Sequence, residues 1–131
     1  MANSRGDEDP IPWARLLGED PFPLSPKLAG KAAGKWEPGV GSYVAYQIGP
    51  FVELIASGMT SNFNTEVKLV RSVLTVFPPE YVLMFYLPEI SLPAEKPFAV
   101  TASFLSKEPI GKVIVWDKKG KHEVAVIQSP S

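Results

Sequence analysis

The chain reads as an α+β domain, a mostly antiparallel sheet with one amphipathic helix packed on a face, preceded by an extended proline-rich arm. Three observations predict this. Short runs rich in β-branched and aromatic residues recur between glycine and proline breaks from about residue 41 onward. One segment, Phe63–Phe77, repeats its apolar residues at helical spacing. The first 40 residues hold Pro10, Pro12, Pro21, Pro23, Pro26 and Pro38, each removing a donor and fixing φ, so regular structure is interrupted there. The expected boundaries are therefore an arm over 1–40, with one helical turn at Trp13–Leu17, and a core domain over 41–131.

Within the core, Ser42–Ile48 and Phe51–Ala56 read as strands on either side of Gly49-Pro50. In the next segment Phe63, Val67, Val70, Leu74 and Phe77 fall on one helical stripe. Asn64, Thr65, Lys68, Arg71, Ser72 and Thr75 fill the opposite arc, and only Glu66 is misplaced. The valines favour a strand, but the period predicts a helix, capped by Ser61, Asn62 or Asn64 and stopped by Pro78-Pro79. An all-β sandwich is the alternative. Tyr81–Leu87 is nearly all apolar and reads as a strand buried on both faces. Phe98–Leu105 is a further strand. Lys112–Trp116 and His122–Gln128 flank a hairpin turn ending in Gly120.

A length of 131 residues fits one domain, and 45% apolar content supplies a core. The net charge of −1 gives no bulk attraction to nucleic acid. Without cysteine there is no disulfide, thiolate or Cys-ligated zinc, which suits a reducing compartment. No apolar run approaches the ~18 residues of a bilayer span. Met1–Pro12 is acidic and lacks an apolar signal region, so no secretory signal is expected.

The tools of catalysis are few. His122 is the one histidine and sits at a hairpin foot beside Lys121 and Glu123, the place of a surface residue. Glu53, Glu66, Glu80, Glu89 and Glu95 are scattered without a spacing that pairs them. No glycine loop has the strand-to-helix context of a phosphate cradle. The expectation is a protein that is not an enzyme, with no metal, no cofactor and no small-molecule substrate.

The arm carries more signal. Lys27, Lys31 and Lys35 recur every four residues, with Trp36 adjoining. Ordered as a helix, they would present three ammonium groups to an anionic membrane or a phosphate track, although Gly30 and Gly34 oppose helix in the free chain. Trp13, Leu16, Leu17 and Phe22 are apolar anchors that a solvated linker does not need. They expect a groove, on the same molecule or on a neighbouring copy, and the latter predicts a homo-oligomer. Pro78-Pro79-Glu80-Tyr81 fits the P-P-x-Y pattern of WW-domain ligands, but its apolar flanks favour a structural role. Arg5-Gly6-Asp7 is too short a match to use.

The succession FVELIASG, MTSNFN, TEVKLVRSVLTVF and PPEY, behind a charged proline-rich arm, resembles the front of the globular domain of rhabdovirus matrix proteins. In that family the P-P-x-Y motif lies in the arm, whereas here it follows the predicted helix. The resemblance implies membrane association, self-association and nucleocapsid condensation. The expected function is then a structural assembly protein of matrix type. It would be cytoplasmic or in the virion interior, peripheral to membrane, with a nucleocapsid or another protein as partner. The alternative is a small cellular protein–protein interaction module that binds no lipid.

Overall fold

Alternating side chains and β-branched runs build a domain whose described residues are mostly strand. The computed structural model describes Leu16 and residues 34–74, 76–90 and 92–129. Its elements are β1 Gly34–Pro38, β2 Ser42–Ile48, β3 Phe51–Asn62, β4 Glu66–Arg71, β5 Glu80–Pro88, β6 Pro93–Leu105, β7 Lys112–Asp117 and β8 Gly120–Gln128. They form one mixed sheet in the order β1-β5-β7-β8-β2-β3-β6, with β4 on the remaining edge of β5. The β5–β7 and β8–β2 pairs are parallel and the others antiparallel.

The sheet curls into a half-barrel. Its concave side gathers Ala45, Val52, Leu54, Tyr81, Phe104, Val113, Val115, Val124 and Val126 from six strands into one core. A second core lies on the far face of β5, where Leu16, Trp36, Val82 and Met84 pack together with Val70, Leu74, Tyr86 and Trp116. β5 is thus covered on both faces, as its unbroken apolar sequence predicts. At one end of the barrel Phe85 of β5 meets Phe98 of β6 edge to face, at 5.4 Å. Gly39 makes room for Phe85, because a Cβ there would stand 2.4 Å from its ring carbons.

The predicted α+β class is overturned: among the described residues no helix packs on the sheet, and the fold belongs to the all-β alternative as one curled sheet. The segment expected as helix Phe63–Phe77 contains β4 instead. Glu66 to Arg71 pair residue by residue with Tyr86 to Tyr81, filling an edge of β5 that would otherwise leave buried polar backbone unpaired. Leu69 then packs on the barrel core and Val70 on the second core. The helical stripe is not a buried face, since Phe63 and Phe77 are both exposed. Asn64, one of the expected helix caps, holds the neighbouring loop: its Nδ2 donates to the Ile90 carbonyl at 2.8 Å, and its Oδ1 accepts from Leu92 N at 3.3 Å.

The sheet also begins earlier than the predicted core. β1 pairs with β5 from Gly34↔Pro88 to Pro38↔Met84, and Leu16 lies in the second core with its carbonyl accepting from Val73 N at 2.7 Å. Residues 1–15 and 17–33 of the predicted arm lie outside the described residues.

Candidate functional site

The inward face of β2 carries Tyr43, Ala45 and Gln47, so polar groups close both mouths of the barrel around an apolar middle. Tyr43 reaches Asp117, the last residue of β7, which is 1% exposed. The Tyr43 hydroxyl donates to Asp117 Oδ2 at 2.5 Å. Lys119 N donates to Oδ1 at 2.8 Å, and His122 Nε2 lies 2.8 Å from the same oxygen. The Tyr43 and His122 rings are tilted together at 5.3 Å. Burial first, then the hydrogen bond to Asp117 and its negative charge, push the Tyr43 phenol far above its usual range.

Gln47 does the equivalent work at the other mouth. Its Nε2 donates to the carbonyls of Ser106 and Glu108, and its Oε1 accepts from Ile110 N and Gln128 Nε2. Both clusters spend their polar atoms on one another and on backbone. The Asp117–His122 pair has the residue types of a proton-transfer dyad, but the hydroxyl beside it, that of Tyr43, is already committed to the carboxylate. Its evident work is to tie the β7–β8 hairpin to β2. Gly120, with φ of 122°, closes the turn.

The outward face of the same sheet is the more unusual surface. Register sets Ile48 beside Phe51 and Phe51 beside Leu105, a row of three apolar side chains across three strands. Ile127 of β8 stands beside Tyr46, which precedes Ile48 by two. These are exposed to 53% (Ile48), 63% (Phe51), 64% (Leu105) and 60% (Ile127), and Val44 adds to them. An antiparallel sheet normally turns a polar face to water. Here the outward positions of β2, β3 and β6 from Ser42 to Ile48, Phe51 to Ser57 and Ala99 to Leu105 include one charged residue, Glu53. Its carboxylate takes the hydrogen bond of the Tyr46 hydroxyl, which raises that phenol's pKa. Charge returns at the rim, in the exposed Lys112–Glu123 pair at 3.0 Å, where the hydrogen bond from Lys112 holds the Glu123 carboxyl below its usual range.

The residues singled out from the sequence are not brought together. Lys27, Lys31, Trp13, Leu17, Phe22 and the Arg5-Gly6-Asp7 tripeptide lie outside the described residues. Lys35 points outward, 3.9 Å from Glu37, while its neighbour Trp36 is 2% exposed in the second core and is not presented to any membrane. Leu16, expected as a self-association anchor, is buried in the same core. In the P-P-x-Y segment Pro79 and Tyr81 are buried, so a WW domain has no access to the tyrosine without unfolding β5. Among the described residues no group of His, Asp and Glu could hold a metal ion, and no helix is long and apolar enough to cross a membrane.

Two features went unread in the sequence although each left a signal. His122, Val124 and Val126 alternate, which puts His122 on the inward side with the core rather than at a bare surface. Between Glu37 and Glu66 the only charged residue is Glu53, and none occurs from Pro97 to Ser106. Comparison with protein-family models, with curated proteins and with solved structures finds no match for this chain.

Proposed function

We propose that the protein is a non-catalytic interaction module, a small β domain that docks on other polypeptide through the outer face of β8, β2, β3 and β6. The observation that carries this reading is the near absence of charge on the exposed outer side of β2, β3 and β6, whose row beside the β2–β3 turn is Ile48, Phe51 and Leu105. Contiguous exposed apolar surface with a polar rim is the usual signature of a protein–protein contact.

This favours the module that binds no lipid over the matrix-type assembly protein. The lipid reading drew on Lys27, Lys31, Lys35 and Trp36, and Trp36 stands in the core. The resemblance to matrix proteins leaned on a helix where β4 lies. The non-enzymatic part of the proposal rests on the self-satisfied state of the two polar clusters.

Tagged full-length chain and the double variant Phe51→Asp, Leu105→Lys should be compared for protein captured from extracts of the source cells. Protein retained by the first and lost from the second is the expected result. Equal retention removes the outer face as the docking surface. A catalytic turnover that His122→Ala abolishes in a folded protein would end the non-enzymatic reading.

A further inference from the structure

We infer that the outer edge of β6, from Ala99 to Leu105, takes up an extended segment of a partner polypeptide as an added strand. The inference deepens the interaction-module reading and rests on it for a polypeptide partner, but it engages backbone at an edge rather than side chains on a face. The ladder with β3 fixes where the backbone groups point. Ser106 N donates to the Pro50 carbonyl at 2.8 Å, and these two continue the register of Phe51↔Leu105, so they form a bonded pair. Bonded and non-bonded pairs alternate along an antiparallel ladder, so Phe104, Ala102, Val100 and Phe98 also bond toward β3. The N–H and C=O groups of Ala99, Thr101, Ser103 and Leu105 therefore point to the other side, where no described strand pairs with β6.

This edge is unguarded while the others are guarded. Natural sheets blunt their edges with short strands, charge, proline and bulges. β1 has 5 residues and carries Lys35, Glu37 and Pro38. β4 has 6 and carries Glu66, Lys68 and Arg71. The first part of β6 holds Pro93, Glu95, Lys96 and Pro97, opposite the register shift between Thr60 and Asn62. None of these devices occurs from Phe98 to Leu105, although β6, at 13 residues, is the longest strand described.

The chemistry of the edge names its occupant. A row of backbone donors and acceptors at strand spacing is matched by another extended backbone. Val100 and Ala102 point inward yet are only half-buried, whereas Ala56 and Leu54, their partners on β3, are fully buried. The added segment therefore carries apolar residues at alternate positions, which cover that side of the barrel. No charged residue occurs from Pro97 to Ser106, so the stretch that matches it is uncharged. At the head of the same edge a cleft lined by residues 65–67 and 96–100 lies between β4 and β6. Thr65, one of its lining residues, is 2% exposed and its hydroxyl has no hydrogen-bond partner, so the fold's own described atoms do not close this seam.

The probe is a fluorescent peptide of about seven alternating valines and threonines with a lysine at each end, titrated with the full chain up to about 1 mM and read by anisotropy. Binding is expected. Two further peptides carry backbone N-methyl groups, one on the valines and one on the threonines, so each loses the donors of a single edge and keeps every side chain. One should bind like the parent peptide and the other about tenfold or more weakly. Equal behaviour of the two overturns the inference, because contact through side chains alone does not distinguish them. On the protein, Thr101→Pro removes one outward donor and none toward β3, and Pro97 already occupies an equivalent position on this edge. It should weaken the peptide about tenfold, while Thr101→Val, which keeps the donor, should not. Thermal unfolding verifies that both variants are folded, and the methylated peptides decide the matter without them. A folded Thr101→Pro chain that binds undiminished overturns the inference. So does a parent chain that binds no peptide; if capture is then still lost with the face variants, the edge is refuted and the module reading stands. Peptide binding that survives Phe51→Asp, beside capture indifferent to the face variants, refutes the face and keeps the edge.

Discussion

At the scale of single residues the fold depends on two polar clusters pointing into the barrel. Asp117 is buried and accepts from the Tyr43 hydroxyl and Lys119 N with His122 beside it. Asp117→Ala strands the Tyr43 hydroxyl without an acceptor and should cost about 2–4 kcal/mol, read as a shift of the urea midpoint. Tyr43 adds a pH dependence whose sign follows from its raised pKa. A phenol that holds its proton more tightly in the folded state stabilises the fold fully below the unfolded pKa of about 10 and loses that contribution as pH rises above it. Stability should therefore decline above about pH 10, and Tyr43→Phe should flatten the part of that decline due to this phenol. Urea midpoints of both proteins between about pH 8 and pH 11 decide the matter, and parallel curves would refute the assignment.

At the scale of elements, β4 is where sequence and structure part. Its apolar residues match a helical period and also a half-buried edge strand, in which Leu69 and Val70 pack toward opposite cores while Glu66, Lys68 and Arg71 stay exposed. Over so short a run with apolar residues on both sides, periodicity does not separate the two cases. The strand prevails because β5 presents a free edge that only extended backbone can fill. The two alternatives differ in which residues matter. With β4 in place, Leu69→Ala and Val70→Ala should each cost about 1–2 kcal/mol, while Phe63→Ala stays within about 0.5 kcal/mol. A helix would reverse the ranking of Leu69 and Phe63. Chemical unfolding of the three variants separates the two.

At the scale of the molecule, Leu16 and Gly34–Pro38 are built into the domain. Trp36 and Leu16 form the second core with Val82 and Met84, and β1 covers the edge of β5 beyond β7. Truncation of large buried side chains of this kind costs about 3–5 kcal/mol for Trp36→Ala and about 2–4 kcal/mol for Leu16→Ala. Domains of this size are stable by roughly 5–15 kcal/mol in total. Deleting residues 1–40 removes both side chains and a strand, so the remainder should show no cooperative thermal transition. A truncated chain with a sharp melt would show that the second core is dispensable.

Much of the strand content was legible. Ser42–Ile48, the apolar β5 segment and the Lys112–Gln128 hairpin with Gly120 were determined locally, by alternation, β-branched content and turn chemistry. Local rules also set the all-apolar character of β5 that requires cover on both sides. Only the tertiary structure decided what that cover is. It placed Trp36 and Leu16 in a core rather than at an interface, paired β4 with β5, and brought Asp117 to Tyr43 across 74 residues. It also decided that the outward side of β2 would be the apolar one. Alternation in Ser42–Ile48 defines two faces, Tyr43-Ala45-Gln47 and Val44-Tyr46-Ile48, but not which of them meets the core. The curl of the sheet chose the face with Ala45 for the crowded interior, where Tyr43 and Gln47 find partners at the two mouths, and left the larger apolar side chains facing out. Period alone carries no such choice, because burial is set by what the neighbouring strands supply.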